Sequence, residues 1–228
     1  TAYEIRLSLV GSEMCIRDSM KTILFSIPTV VSAVMMQAGD PFKGTLVFNV
    51  SGPDARELKT LSMSGDGKLL RVDILMTDKA ISVIRNPSAK MMTILVPERK
   101  MAMNIPETGA MNGAGIAGDE VGEPKKTVSK ETVVILGYDT HLETLVFPNG
   151  NKVESWVTDD MGTFSIPAAF AGSMKSWADT KLVPLRVIKY ENGKETVRLE
   201  AAAASTDMPD VTLFTVPADF QTMTMPGK

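Results

Sequence analysis

The sequence predicts a mainly β domain of the α+β class: a curved antiparallel sheet, or half-barrel, closed by one main helix. Three observations carry that expectation. Apolar and polar residues alternate with period two through most of the chain, which is the signature of half-buried strands. Clusters of Gly, Pro and Asn divide the alternation at short, regular intervals, as hairpin turns do. One segment switches to helical spacing: Ile166, Phe170, Met174 and Trp177 are four, four and three residues apart, one face of a helix.

The elements follow in order. Phe42 to Val50 places Leu46, Phe48 and Val50 on one face, and Ser51 to Asp54 turns the chain through Gly52 and Pro53. Leu58 to Ser64 is a second strand, and Gly65-Asp66-Gly67 is a hairpin signal because glycine tolerates positive φ. Lys68 to Leu75 returns, followed by Ala80 to Arg85, a turn at Asn86-Pro87, and Lys90 to Val96. After Pro97 to Lys100, the run Lys100 to Ile105 sends Met101, Met103 and Ile105 to one side. Residues 106–124 carry five glycines and almost no large apolar side chain. Such a stretch buries too little surface to offset its ordering entropy, so it reads as a flexible Gly-rich loop inside one domain. An insertion without a role and a lid over a ligand are both open readings of it. Strand character resumes at Thr132 to Gly137 and continues through Glu143 to Phe147; Pro148 to Asn151 turns into Lys152 to Thr158. The helix comes next, with Pro167 suited to its first turn. Leu185 to Tyr190 and Glu195 to Ala204 close the pattern as a hairpin around Asn192-Gly193.

The amino-terminal segment is of another kind. Residues 1–19 (TAYEIRLSLVGSEMCIRDS) resemble the translation of a sequencing-library adapter. From Met20 the chain then reads as an export signal over residues 20–38. Lys21 supplies the basic start, Thr22 to Met36 is free of charge, and Ala38 offers a small residue for cleavage, with Ala33 the alternative. A membrane-spanning helix needs roughly 20 apolar residues, and Asp40 and Pro41 end this run too soon. The expected mature domain, residues 39–228, is periplasmic or secreted, without a transmembrane span and without a lipid-accepting cysteine. Cys15, the only cysteine, falls in the adapter-like stretch. That leaves no disulfide, thiol nucleophile or cysteine metal site in the domain. A net charge of −3 gives no electrostatic reason to expect nucleic acid.

Catalytic constellations are sparse. His141, the single histidine, stands beside Asp139, but no G-x-S-x-G turn presents a serine to it. Asp159-Asp160 are neighbours, and neighbours on a strand face opposite ways. No phosphate-binding glycine motif and no His, Cys or carboxylate spacing for a metal is present. The expectation is a non-enzymatic protein without a cofactor.

Methionine is the compositional excess. Of sixteen, Met14, Met20, Met35 and Met36 fall before residue 39, leaving twelve in the domain. Met101-x-Met103 and Met223-x-Met225 have the soft-donor character that suits Cu(I). Methionine also fills apolar surfaces adaptably. The second property leads to an apolar binding site: Met91, Met101, Met103, Ile105 and Trp156 on a concave sheet face, covered by Ile166, Phe170 and Trp177 of the helix. Complete packing makes this a core; incomplete packing leaves a cavity for an apolar ligand.

Three segments carry a family resemblance. They are Ile94-Leu95-Val96-Pro97-Glu98-Arg99-Lys100-Met101-Ala102-Met103, then Ile135-Leu136-Gly137-Tyr138 with Val153 to Thr158 and Met161-Gly162, and last Leu213 to Phe220 (LFTVPADF). In order and spacing the chain resembles the exported bacterial family of domain of unknown function 4412. Many relatives carry a cysteine soon after the Gly-Tyr pair, where this chain has Asp139-Thr140-His141. The resemblance implies a lipoprotein-carrier (LolA-like) architecture, a curved sheet closed by helices around an apolar hollow. It therefore implies a lipid or lipoprotein acyl chain as a partner. An envelope module with a filled core, binding other proteins, is the alternative expectation.

Overall fold

Alternation becomes strand wherever the chain is described. A computed structural model gives the structure of residues 39–107, 123–163 and 181–224, all within one unit, Met35–Lys228. Its strands are β1 Lys43–Ser51, β2 Leu58–Asp66, β3 Leu70–Met76, β4 Ala80–Asn86, β5 Met91–Val96 and β6 Met101–Pro106. The others are β7 Lys125–Ile135, β8 Tyr138–Val146, β9 Lys152–Thr163, β10 Leu182–Glu191, β11 Lys194–Ser205 and β12 Gln221–Thr224. They form a single sheet in the order β12-β6-β5-β4-β3-β2-β1-β11-β10-β9-β8-β7. Every neighbouring pair is antiparallel except β12 with β6, which is parallel.

The turn chemistry explains the meander. Asn192 and Gly193 both have positive φ, so Glu191 and Lys194 pair across a two-residue turn of the kind whose twist matches the flanking strands. Leu136 and Gly137 do the same between β7 and β8, where Ile135 pairs with Tyr138. The sequence pattern runs straight through that turn, because leucine at positive φ carries no compositional signal. At the β2–β3 hairpin, Asp66 Oδ1 accepts from the backbone N–H groups of Lys68 and Leu69 at 2.7 and 2.6 Å.

The sheet curls about one face. Phe42 N–H donates to Thr163 O at 2.8 Å, and Thr163 N–H to Asp40 O at 2.6 Å. Thus the entry to β1 reaches the end of β9, three strands away in sheet order. Flat, that separation would be roughly 14 Å. The main core fills this curl with Leu46, Phe48, Leu61, Met63, Phe147, Val153, Met161 and Leu185, all nearly or wholly buried. Each contributes about 1.5–3 kcal/mol by leaving water.

The opposite face near β3–β6 is crossed by a strap, residues 206–220, that runs from β11 to the far edge. A short 3-10 helix, Val211–Phe214, opens the crossing, with Asp210 accepting from Thr212 N–H at its start. Val216 and Phe220 then pack on Ile84, Leu95 and Ala102, and β12 ends the strap beside β6.

Two expectations are corrected. The fold is all-β among the described residues, an open twelve-stranded sheet with edges at β7 and β12, not an α+β half-barrel closed by one main helix. Among the described residues, backbone bonds between Asp40, Phe42 and Thr163 join the entry of β1 to the end of β9, and the strap covers the reverse face of β4–β6. The segment of helical spacing, Ile166 to Trp177, lies outside the described residues, as do residues 108–122 of the Gly-rich loop. Secondly, residues 221–224 form a strand, β12, which four exposed residues had not suggested.

Candidate functional site

On β4, β5 and β6 the two faces separate cleanly. Antiparallel register partners project to the same side of a sheet. Val83 pairs with Ile94, Ile94 with Met103, Met92 with Ile105, and Val96 with Met101. Val83, Ile94 and Ile105 are buried together, and Ile81, Val96 and Met103 pack around them. Among the described residues this cluster draws on β4, β5 and β6 alone. The reverse face carries Ile84, Leu95 and Ala102 and receives the strap.

The residues expected to form an apolar site divide accordingly. Met101, Met103 and Ile105 share the first face. Met91 pairs with Asn86 and Pro106, out of phase with Met92 and Ile94, so its side chain belongs to the strap side. Trp156 lies on β9, eight strands along the sheet from β6. It packs against the main core, and the Arg186 guanidinium lies 5.3 Å from its ring centroid while bonding Glu200 through Nε at 3.0 Å. The structure therefore does not bring Met91 or Trp156 to the Met101–Met103–Ile105 face. Phe170 and Trp177 lie outside the described residues. Ile81, Val83, Ile94 and Val96 were missed as site residues. Their signal was present in the alternation of β4 and β5 once it is phased against β6.

The titratable groups form structural pairs. His141 Nε2 lies 3.8 Å from Glu143 Oε1, beyond hydrogen-bond reach, and Glu143 Oε2 is 2.8 Å from Lys126 Nζ. Asp159 and Asp160 are both exposed. Among the described residues no group of three or more His, Cys, Asp or Glu is placed to hold a metal ion. Among them, too, no helix is long and apolar enough to cross a membrane.

Two of the three sequence segments singled out above meet at the β6 edge. Lys100, at φ 47°, accepts from Gln221 N–H at 2.8 Å through its carbonyl. Its ammonium lies 2.9 Å from Asp219, which holds that carboxyl below its ordinary range. Glu98 reaches the other way. Its Oε1 accepts from Ala80 N–H at 2.6 Å, and this bond, with one from its own N–H, holds its carboxyl below the usual carboxylate range. A carboxyl whose pKa is lower folded than unfolded stabilises the fold above its unfolded value, and loses that contribution as pH falls through its folded value. Glu98→Gln is accordingly expected to lower stability at neutral pH and to match the parent once the pH is below the folded pKa. Urea midpoints measured from about pH 7 to about pH 3 test this; a constant difference across the series would refute it.

Comparison with known proteins gives a family and distant structural likenesses. An uncharacterized conserved protein from Thermus thermophilus is similar over 79% of this chain and 90% of its own, at 12% identity and a TM-score of 0.49. PNGF-II matches 80% of this chain at 14% identity and a TM-score of 0.46, over 30% of its own length. MucB matches 80% of this chain and 60% of its own at 12% identity and a TM-score of 0.45. None of these likenesses carries an inference about ligand or partner. No curated protein matches the chain. The family model described as "Domain of unknown function (DUF4412)" matches residues 42–220, from the first buried residue of the main core to the phenylalanine that anchors the strap. The chain therefore belongs to the family of domain of unknown function 4412.

Proposed function

We propose that this is an exported, non-catalytic protein that holds an apolar chain, such as the acyl chain of a lipid or lipoprotein, against the Val83–Ile94–Ile105 face of β4–β6. The observation that carries the reading is that face itself: Val83, Ile94 and Ile105 from three strands form its centre, Ile81, Val96, Met101 and Met103 at its rim remain half-buried, and the one charged side chain β4 turns to it, Arg85, is neutralised at one end by Glu107 at 2.7 Å. Contiguous apolar surface that is not fully covered marks binding sites on soluble proteins. Methionine at the rim suits a ligand of variable length, because its unbranched thioether repacks at little cost.

The test is displacement of a fluorescent fatty acid from the full chain, prepared without detergent, together with native mass spectrometry for a bound apolar mass. Val96→Asp sets a charge on the rim of the face and is expected to weaken fatty-acid binding by about tenfold or more, since burying an unpaired carboxylate opposes apolar contact. Unaltered binding by a folded Val96→Asp protein would overturn the reading.

A second reading, an envelope module that binds other proteins, is favoured by edge strand β7. Val128, Val133 and Val134 are 56%, 42% and 64% exposed there. Against it, Lys125, Lys126 and Lys130, with the register shift between Val128 and Thr132, guard this edge as charges and bulges commonly do. Cross-linking from β7 in the absence of fatty-acid binding would favour the second reading.

A further inference from the structure

We propose that Met101, Met103 and Met223 form a thioether site for a soft monovalent cation, Cu(I) or its analogue Ag(I). The two methionine pairs are far apart in sequence, and the fold makes neighbours of them. Strand β12 lies parallel to β6 with Met223 beside Met103 and Gln221 beside Met101. Met101 and Met103 alternate onto one face of β6, and register carries Met223 onto that same face. Paired strands stand about 4.8 Å apart and alternate residues along a strand about 6.7 Å. Three flexible thioethers therefore rise from a patch small enough for their sulfurs to converge on one ion. Met225 lies outside the described residues and is not needed.

Exposure separates Met223 from the methionines that fill space. Met63 and Met92 are wholly buried, as packing residues should be, whereas Met223 is 54% exposed and Met101 and Met103 are half-buried. Met223, standing largely in water, gains little from packing. The edge is nevertheless held in place. Gln221 N–H bonds Lys100 O, Lys100 pairs with Asp219, and Phe220 is seated on the Ile84–Leu95–Ala102 cluster. Asp219 balances the Lys100 charge beside the sulfurs.

Ligand chemistry selects the ion. Thioethers are neutral, soft donors that favour Cu(I) over the harder divalent ions. Zn(II) and Cu(II) prefer imidazole, thiolate or carboxylate sets, and no cluster of these is placed for a metal among the described residues. Solvent reaches the site through Met223, while Ile105 and Val96 flank it on the same face, an arrangement open to an arriving ion at the edge and apolar toward the sheet interior.

The experiment is anaerobic Cu(I) titration of the full chain against a chromogenic Cu(I) chelator. It is done in a Cys15→Ser background so that the lone thiol does not compete. One equivalent is expected, with a sulfur-only shell by X-ray absorption. Met223→Leu is expected to weaken it about tenfold, and Met101→Leu with Met103→Leu and Met223→Leu to abolish it, while Met92→Leu leaves it unchanged. Met223 is not part of the Val83–Ile94–Ile105 cluster, so fatty-acid displacement should survive in the single Met223→Leu variant. Weakened Cu(I) binding in Met223→Leu, with fatty-acid binding intact, supports a separate site. Failure to compete with the chelator, or equal binding by the folded triple variant, overturns it whatever the fatty-acid result.

Discussion

Replacing Gly44 with alanine is expected to lower the thermal midpoint by roughly 10 °C. Gly44 sits in β1 at φ 127°, a conformation that L side chains rarely adopt. A Cβ there would lie 2.0 Å from Ser205 O and 3.0 Å from both Ser205 C and Thr206 Cα. These are backbone atoms of the partner strand, so no rotamer change relieves the overlap; β1 and β11 must part. Backbone strain of about 1–3 kcal/mol adds to about 1–3 kcal/mol for forced displacement of packed structure. At about 2–4 °C per kcal/mol for a domain of this size, the shift follows. Gly193→Ala is the control. Its φ is also positive, but nothing lies within 4 Å of the new methyl, so the strain alone is felt and a fall of only a few degrees is expected. Equal effects at the two positions would show that β1 and β11 do not approach as closely as described.

How far the molecule was legible in its sequence depends on whether a feature is local. The strands of the meander were readable because alternation and turn composition are local: Leu46-Phe48 in β1 and Asn192-Gly193 before β11 needed no knowledge of their neighbours. Face assignment was not. Met91 and Met101 look alike in sequence, yet the phase of β5 against β6 sends Met91 to the strap side, because one residue of offset exchanges the faces. Trp156 was grouped with the methionines because both are large and apolar, although strand order separates β9 from β6 by most of the sheet. Helical spacing at Ile166 to Trp177 suggested how the sheet closes. That segment lies outside the described residues; among those described, the joining of β1 to β9 through Thr163 with Asp40 and Phe42, and the strap over the reverse face, have no periodicity to read. The segments carrying the family resemblance owe part of their pattern to this geometry, since Lys100 and Asp219, distant in sequence, hold one another at the edge.

Arg71→Met is expected to release the strap. The guanidinium donates from Nε to both Asp73 oxygens at 2.8 and 2.9 Å, from Nη2 to Ser82 Oγ at 3.0 Å and from Nη1 to Leu213 O at 2.5 Å. Ser82 Oγ in turn donates to Asp73 Oδ1. One arginine thus ties β3, β4 and the strap together. Methionine fills much of the same volume but satisfies none of these acceptors, leaving the Asp73 carboxylate without its counter-charge. Breaking a fully buried pair costs about 3–5 kcal/mol. Asp73 is a third exposed and keeps some hydration, so about 2–3 kcal/mol is expected. Adding Asp73→Leu should restore much of that stability by removing the orphaned charge. It cannot restore the bond to Leu213, so the two variants separate stability from strap anchoring. Amide hydrogen exchange over residues 211–224 should be accelerated in both, while β1 and β10 recover in the double variant. Because the strap delivers Met223 to Met103, Cu(I) binding should weaken in both as well. If strap amides stay protected in Arg71→Met, the Leu213 bond does not hold the strap. Its position would then rest on Val216 and Phe220 alone.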